Sequence, residues 1–158
     1  MAKQSMPDVV LENVTLKFLN FSGRIDQYNA NGRRKFSVEL PRDVAEDMEK
    51  DGWNIKWPKP RPDYPDDDPY NPTIAVEASY RIFSPQITVV LGKRRVNYTE
   101  DMLDLLDTAE IINVDLVLQP SFYDNPTGAG VKAYLKKAFI TIQEDVLDKK
   151  YAHLEDGN

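Results

Sequence analysis

Long runs in which apolar and polar residues alternate one by one constrain this chain more than any other feature. TIAVEASYRIF (73–83) sets Ile74, Val76, Ala78, Tyr80 and Ile82 against Glu77, Ser79 and Arg81. KFSVEL (35–40) directs Phe36, Val38 and Leu40 to one face, and IINVDLVLQPSFY (111–123) does the same with Ile112, Val114, Leu116 and Leu118. Period two marks a half-buried strand, so a mainly β fold is predicted. In VVLENVTLKFLNF (9–21), Val14, Leu16 and Phe18 share one parity while Val9 and Leu11 take the other, which predicts one long strand with a bulge or twist near Asn13. The last strand, VKAYLKKAFITI (131–142), changes parity near Lys136 and Lys137, from Val131, Ala133 and Leu135 to Ala138, Ile140 and Ile142. Long strands that switch face favour a partly closed barrel over a flat sandwich.

Between the strands, Asn31-Gly32 signals the turn of a long hairpin with a basic tip. Pro41 can open a short acidic helix that Gly52 stops, with Val44 and Met48 on its inner face. A second helix, packed on one side, is expected over 99–110 through Met102, Leu103, Leu105 and Leu106. WNIKW (53–57) reads as a short strand, and GKRRVNY (92–98) as a basic turn. Six prolines and three consecutive aspartates make 58–72 an extended loop insertion. A length of 158 residues with 41% hydrophobic side chains suits a single domain, assigned to 1–143, with a mildly acidic, flexible tail over 144–158.

The residue inventory removes most enzyme chemistry. There is no cysteine, and His153 is the only histidine, so thiol chemistry, a histidine-based triad and a histidine metal site lose their parts. The aspartates at 66–68 or at 101, 104 and 107 do not fit a calcium loop, and no phosphate-cradling glycine motif occurs. No metal and no cofactor are expected. No apolar run approaches membrane-spanning length and MAKQSMPDVV has no signal-like core, so a cytoplasmic location is the expectation.

The formal charge of −6 hides segregated blocks: +2 over 1–40, −4 over 41–70, +3 over 71–98, −6 over 99–120, +2 over 121–142 and −3 over 143–158. An acidic body can therefore carry a cationic groove, and the local potential of that groove decides whether phosphates bind. Three segments offer cations beside rings. The first hairpin carries Lys17, Phe21, Arg24, Tyr28, Arg33, Arg34 and Lys35; the last strand carries Lys132, Tyr134 and Lys136 on one parity; the 92–98 turn adds Lys93, Arg94 and Arg95. Unpaired nucleic acid needs this mixture, because phosphates require positive charge and bases require flat apolar faces. Each segment has a plainer reading too: Phe21 and Tyr28 as caps on the core, Tyr134 as a ring shielded by lysine stems, the 92–98 run as a solubilising turn. Trp53 and Trp57 favour the core.

The phrases NFSGRIDQYN, NGRRKF, DGWNIKW, NVDLVLQP and GVKAYLKKAFITI resemble the single-stranded-DNA-binding proteins of tailed bacteriophages, from about Val9 to Ile142. That resemblance implies an OB-fold-like, partly closed five-stranded barrel with extra hairpins, binding without catalysis, and a place in phage DNA replication and recombination inside the host cytoplasm. It matches Phe21, Arg24 and Tyr28 to the family's NFSGR…YN stretch, Arg34 and Phe36 to its G-x-R-x-F, and Tyr134 to its GVKAYL strand. The expectation is sequence-independent single-stranded DNA binding, with Lys17, Arg24, Arg33, Arg34, Lys35, Lys93, Arg94, Arg95, Lys132 and Lys136 on phosphates and Phe21, Tyr28 and Tyr134 on bases. The alternative is a protein-interaction or virion-assembly module working through the acidic helix and the aspartate loop. Replication or recombination proteins are further expected partners, and an unpaired edge strand could support a homodimer.

Overall fold

A computed structural model describes residues 6–27, 29–58, 71–81 and 84–143. Its nine strands are β1 (Val9–Leu11), β2 (Thr15–Asn20), β3 (Lys35–Glu39), β4 (Ile55–Lys56), β5 (Thr73–Glu77), β6 (Gln86–Leu91), β7 (Arg94–Tyr98), β8 (Ile111–Asn125) and β9 (Gly128–Ile142). The predicted strand 9–21 is in fact two. Asn13 takes a φ of 54°, which ends β1 and re-aims the chain, so that β1 pairs with β8 while β2 pairs with β3.

That break shapes the barrel. The main path of the sheet runs β1-β8-β9-β5-β3-β2, so its two terminal strands are neighbours in sequence. The sheet ladder itself stays open. Across the gap the Val14 amide donates to the Val114 carbonyl (3.0 Å), and the Asn13 amide to Asp115 Oδ1 (2.9 Å). The result is the partly closed, mainly β architecture expected from face-switching strands.

β9 is the spine. One edge pairs antiparallel with β8 along nearly its whole length. The other edge receives Trp53 at Val131, then β5 at Ala133–Tyr134 and β6 at Lys137–Thr141, both strands parallel to it. Between Leu135 and Lys137 the β8 register slips by one, leaving Lys136 as the extra residue of a bulge. This bulge is the predicted parity change. It lets Ala133 and Leu135, then Ala138 and Ile140, all face the core.

The core gathers Phe21, Phe36, Val38, Ile74, Val76, Leu116, Leu118, Leu135 and Ile140, with Trp53 among them. The helix α1 (Arg42–Lys50) follows Pro41 and buries Ala45 and Met48. The second helix is a 3-10 helix, Glu100–Asp107, where an α-helix was expected. Its three-residue period aligns Leu103 and Leu106 inward and turns Leu105 out to 54% exposure. The basic segment after Gly92 is also not a turn alone: β7 pairs with β6 from Arg94 to Tyr98. WNIKW contributes only Ile55–Lys56 as strand. Most of the proline-rich loop and the expected acidic tail lie outside the described residues.

Candidate nucleic-acid interface

The loop joining β2 to β3 is built by its asparagines and glycines. Asn20 Oδ1 accepts from the Arg24 amide (2.8 Å) and Asn20 Nδ2 donates to the Arg24 carbonyl (3.1 Å). Asn29 Nδ2 reaches the Arg24 and Arg33 carbonyls (both 2.8 Å), and Asn29 Oδ1 accepts from the Arg33 amide (3.1 Å). Both asparagines are buried, so their amides replace the backbone partners an irregular loop lacks. Gly23 has a φ of 73°, and a Cβ there would meet the Gly32 carbonyl oxygen at 2.8 Å. The phrase NFSGR…YN…NG is thus a folding instruction. What it presents is Arg24, exposed at the bend, and Arg33, at the entry to β3.

The 3-10 helix pins the same loop from below. Asp107 accepts the amides of Phe21 (2.6 Å) and Ser22 (3.1 Å). Arg34 donates to the Phe21 carbonyl (2.6 Å) and pairs with Glu100 at 3.4 Å, so this arginine is committed to the fold.

On the outer face of β3, β5 and β9 the register brings Lys35 opposite Glu77, and Glu77 opposite Tyr134. Glu77 Oε1 accepts from Arg33 Nη1 at 3.1 Å and from Lys132 Nζ at 2.7 Å. Lys132 Nζ also sits 4.9 Å from the centre of the Tyr134 ring, a cation–π arrangement. Two adjoining concavities share Arg33 and Glu77. One, about 720 Å³, is bounded by Arg34, Tyr80, Arg81, Glu100 and Tyr134; the other, about 460 Å³, by Lys35, Asn54, Tyr123 and Lys132. Together they form a trough of cations and rings.

Tyr80 carries one further polar group at this trough. Its hydroxyl is buried and makes no hydrogen bond among the described residues. Burial raises its pKa and Glu100 raises it further, against a lowering by Arg34, so the hydroxyl keeps its proton at neutral pH and remains a donor.

The expected site residues divide. Arg33, Lys35, Lys132 and Tyr134 meet in the trough, with Arg24 on the adjoining loop. Lys17 lies across β3 and pairs with Glu39 at 3.5 Å. Lys136 pairs with Asp8 at 2.7 Å. Lys93, Arg94 and Arg95 sit at the far end of β9, since Leu91 pairs with Arg94 and Val90 lies opposite Thr141. Nine residues of strand separate Thr141 from Lys132, about 30 Å at ~3.3 Å per residue, so the three basic segments do not close into one trough. Phe21 requires a correction as a base-stacking residue: it is 0% exposed and stacks on Phe36 at 5.0 Å, which leaves no face for a base. Tyr134 is 7% exposed and borders the trough. Tyr28 lies outside the described residues.

One ring was missed. Phe18, expected to face the core, is 80% exposed and has a φ of 55°. The β2–β3 register slips between Lys17 and Asn20, so this bulge expels Phe18 and lets Leu19 pack inward instead. A left-handed bulky residue is strained by roughly 1–2 kcal/mol. No local sequence signal marks it.

Among the described residues no cluster suited to a metal is present, and no helix is long and apolar enough to cross a membrane. No curated protein sequence matches the chain. Among solved structures, the single-stranded DNA-binding protein from bacteriophage Enc34 shares the fold, with a TM-score of 0.53, 12% identity, and coverage of 87% of this chain and 82% of that one. The same phage protein in complex with single-stranded DNA gives a TM-score of 0.56 and 13% identity, covering 87% and 88%. The family model described as "Putative phage ssDNA-binding domain" matches residues 1–158. Over its whole length, then, this chain belongs to the phage single-stranded-DNA-binding domain family.

Proposed function

We propose that this protein binds single-stranded DNA without sequence preference and without catalysis, shielding exposed strands during phage replication and recombination in the host cytoplasm. One observation carries the reading. Arg33 and Lys132, brought from a hairpin and from the spine strand, converge on a single carboxylate oxygen beside the Tyr134 ring. A phosphate can take the place of that carboxylate, and a base can take the place of the ammonium over the ring. Neither exchange reads a base edge, so sequence preference is absent. Arg24, Arg33, Lys35 and Lys132 are assigned to phosphates and Tyr134 to a base, with Lys17 and the exposed Phe18 continuing the track across β3 to the sheet edge. The OB-like fold shared with the Enc34 protein, whose structure with single-stranded DNA is known, supports the single-stranded-DNA reading.

Titration of fluorescently labelled oligo-dT at several salt concentrations tests it. Affinity is expected to fall with salt at a log–log slope of about −0.7 per phosphate contact, and the oligonucleotide is expected to stay intact after incubation with Mg²⁺. Absence of binding at low salt removes the proposal; shortening of the oligonucleotide removes its non-catalytic half.

A further inference from the structure

β9 carries the same short unit twice. Lys132-Ala133-Tyr134 and Lys137-Ala138-Phe139 each place a lysine two residues before a ring, and in each the ammonium lies over that ring, at 4.9 Å and 5.1 Å. Strand geometry alone would put the two units on opposite faces, because five residues separate them. The bulge at Lys136 cancels that parity change, so Ala138 and Ile140 take the core positions and Phe139 stands half-buried on the outer side.

We propose that the Lys137–Phe139 unit is a second single-strand subsite, a base on the Phe139 ring and a phosphate on Lys137, which extends the DNA track beyond the trough along β9. This rests on the single-stranded-DNA reading. The registers show where the track leads. Thr88 lies beside Phe139, and Val90 beside Thr141, on β6; across β6, Asn97 and Arg95 take the same two levels on β7. Arg95 and the turn residue Lys93 are exposed. The basic hairpin that the trough excludes is therefore the far end of a longer path. On the β8 side Asp115 lies beside Phe139, but its oxygens accept from the Asn13 amide (2.9 Å) and Asn113 Nδ2 (3.4 Å), which offsets part of its repulsion toward a phosphate. Tyr134 and Phe139 are about 16 Å apart along the strand, at ~3.3 Å per residue, a span that a few extended nucleotides cover.

Each lysine rests over its own ring, which covers part of the ring's face. An arriving nucleotide separates the two, one group to each.

The test compares short oligo-dT, which fills the trough only, with long oligo-dT, which also reaches the second unit. In the full chain, Phe139→Leu with Lys137→Gln is expected to weaken long oligo-dT about tenfold, while short oligo-dT binds as to the unsubstituted protein. The salt slope for the long ligand should lose about 0.7. Arg95→Gln, at an exposed position outside the core, is expected to reduce that slope by a similar amount with no change in thermal midpoint. Unchanged affinity and slope for long oligo-dT overturn the proposal, as does equal weakening of long and short ligands. If the unsubstituted protein binds neither ligand, the single-stranded-DNA reading itself falls; if it binds both and the variants match it, only the second subsite falls.

Discussion

Phe18 and Phe21 stand three residues apart on one short stretch of chain and end in opposite surroundings. Phe21 is wholly buried against Phe36, with its amide held by Asp107 and its carbonyl by Arg34. Phe18 is thrust into solvent by a bulge at a strained φ. The inner ring anchors the loop that presents Arg24 and Arg33. The outer ring does nothing for the core, and the proposed DNA track gives this strained, exposed aromatic beside Lys17 a use, as a surface for a base. On the proposed reading, the difference separates residues that build the interface from residues that meet the DNA.

The largest expected effect breaks the building side. Phe21→Ala removes a fully buried ring and should cost about 3–5 kcal/mol, read as a large fall in thermal midpoint. DNA affinity should fall with it, because Arg24 and Arg33 lose the loop that places them. A variant that keeps its midpoint would mean that the packing around Phe21 is slack. Phe18→Ala should do the reverse. Its midpoint is expected to hold, since the ring is 80% exposed and alanine keeps the Cβ on which the left-handed strain depends. Its affinity for oligo-dT should drop about tenfold, within the ~1–3 kcal/mol that a stacked base is worth. Unchanged affinity would take Phe18 out of the interface and leave its exposure without a purpose.

The same contrast shows what could be read from the sequence. Alternation located β3, β5, β8 and β9, because a half-buried strand writes its two faces directly into residue order. But β5 ends at Glu77, short of the alternating run to 83, and Ile112, read as inward, is 61% exposed at a register slip between Ile111 and Asn113. The parity change at Lys136 was legible for the same reason. The bulge that expels Phe18 was not, since Leu16, Phe18 and Leu19 are all apolar and either parity could have faced the core. β7 hid because Arg94 and Arg95 open it on a basic run rather than an alternating one. The motif asparagines were visible, but their role as loop staples needed the fold. Least legible was the trough, whose central carboxylate meets partners 44 and 55 residues away. Cations in three segments could be counted from the sequence, but which of them met depended on β9 running parallel to both β5 and β6, a pairing no local pattern encodes.

Glu77 offers the smallest and sharpest test, because it belongs to both sides of the comparison. Its carboxylate positions Arg33 and Lys132, and it also occupies the place a phosphate would take; its side chain is only 12% exposed. Glu77→Gln keeps an oxygen that can accept from both cations but deletes the negative charge. Arg33 is about half exposed, so its ion pair is screened and worth at most ~1 kcal/mol to the fold. Removing an anion that an incoming phosphate must displace acts directly on binding, and this effect should win. Oligo-dT is therefore expected to bind the variant about threefold to tenfold more tightly, on the order of 1 kcal/mol, and with a steeper salt dependence, since two more cations hold exchangeable counterions before DNA arrives. Weaker binding at an unchanged thermal midpoint would show instead that the carboxylate is needed to hold the two cations in register, and would move Glu77 wholly to the building side.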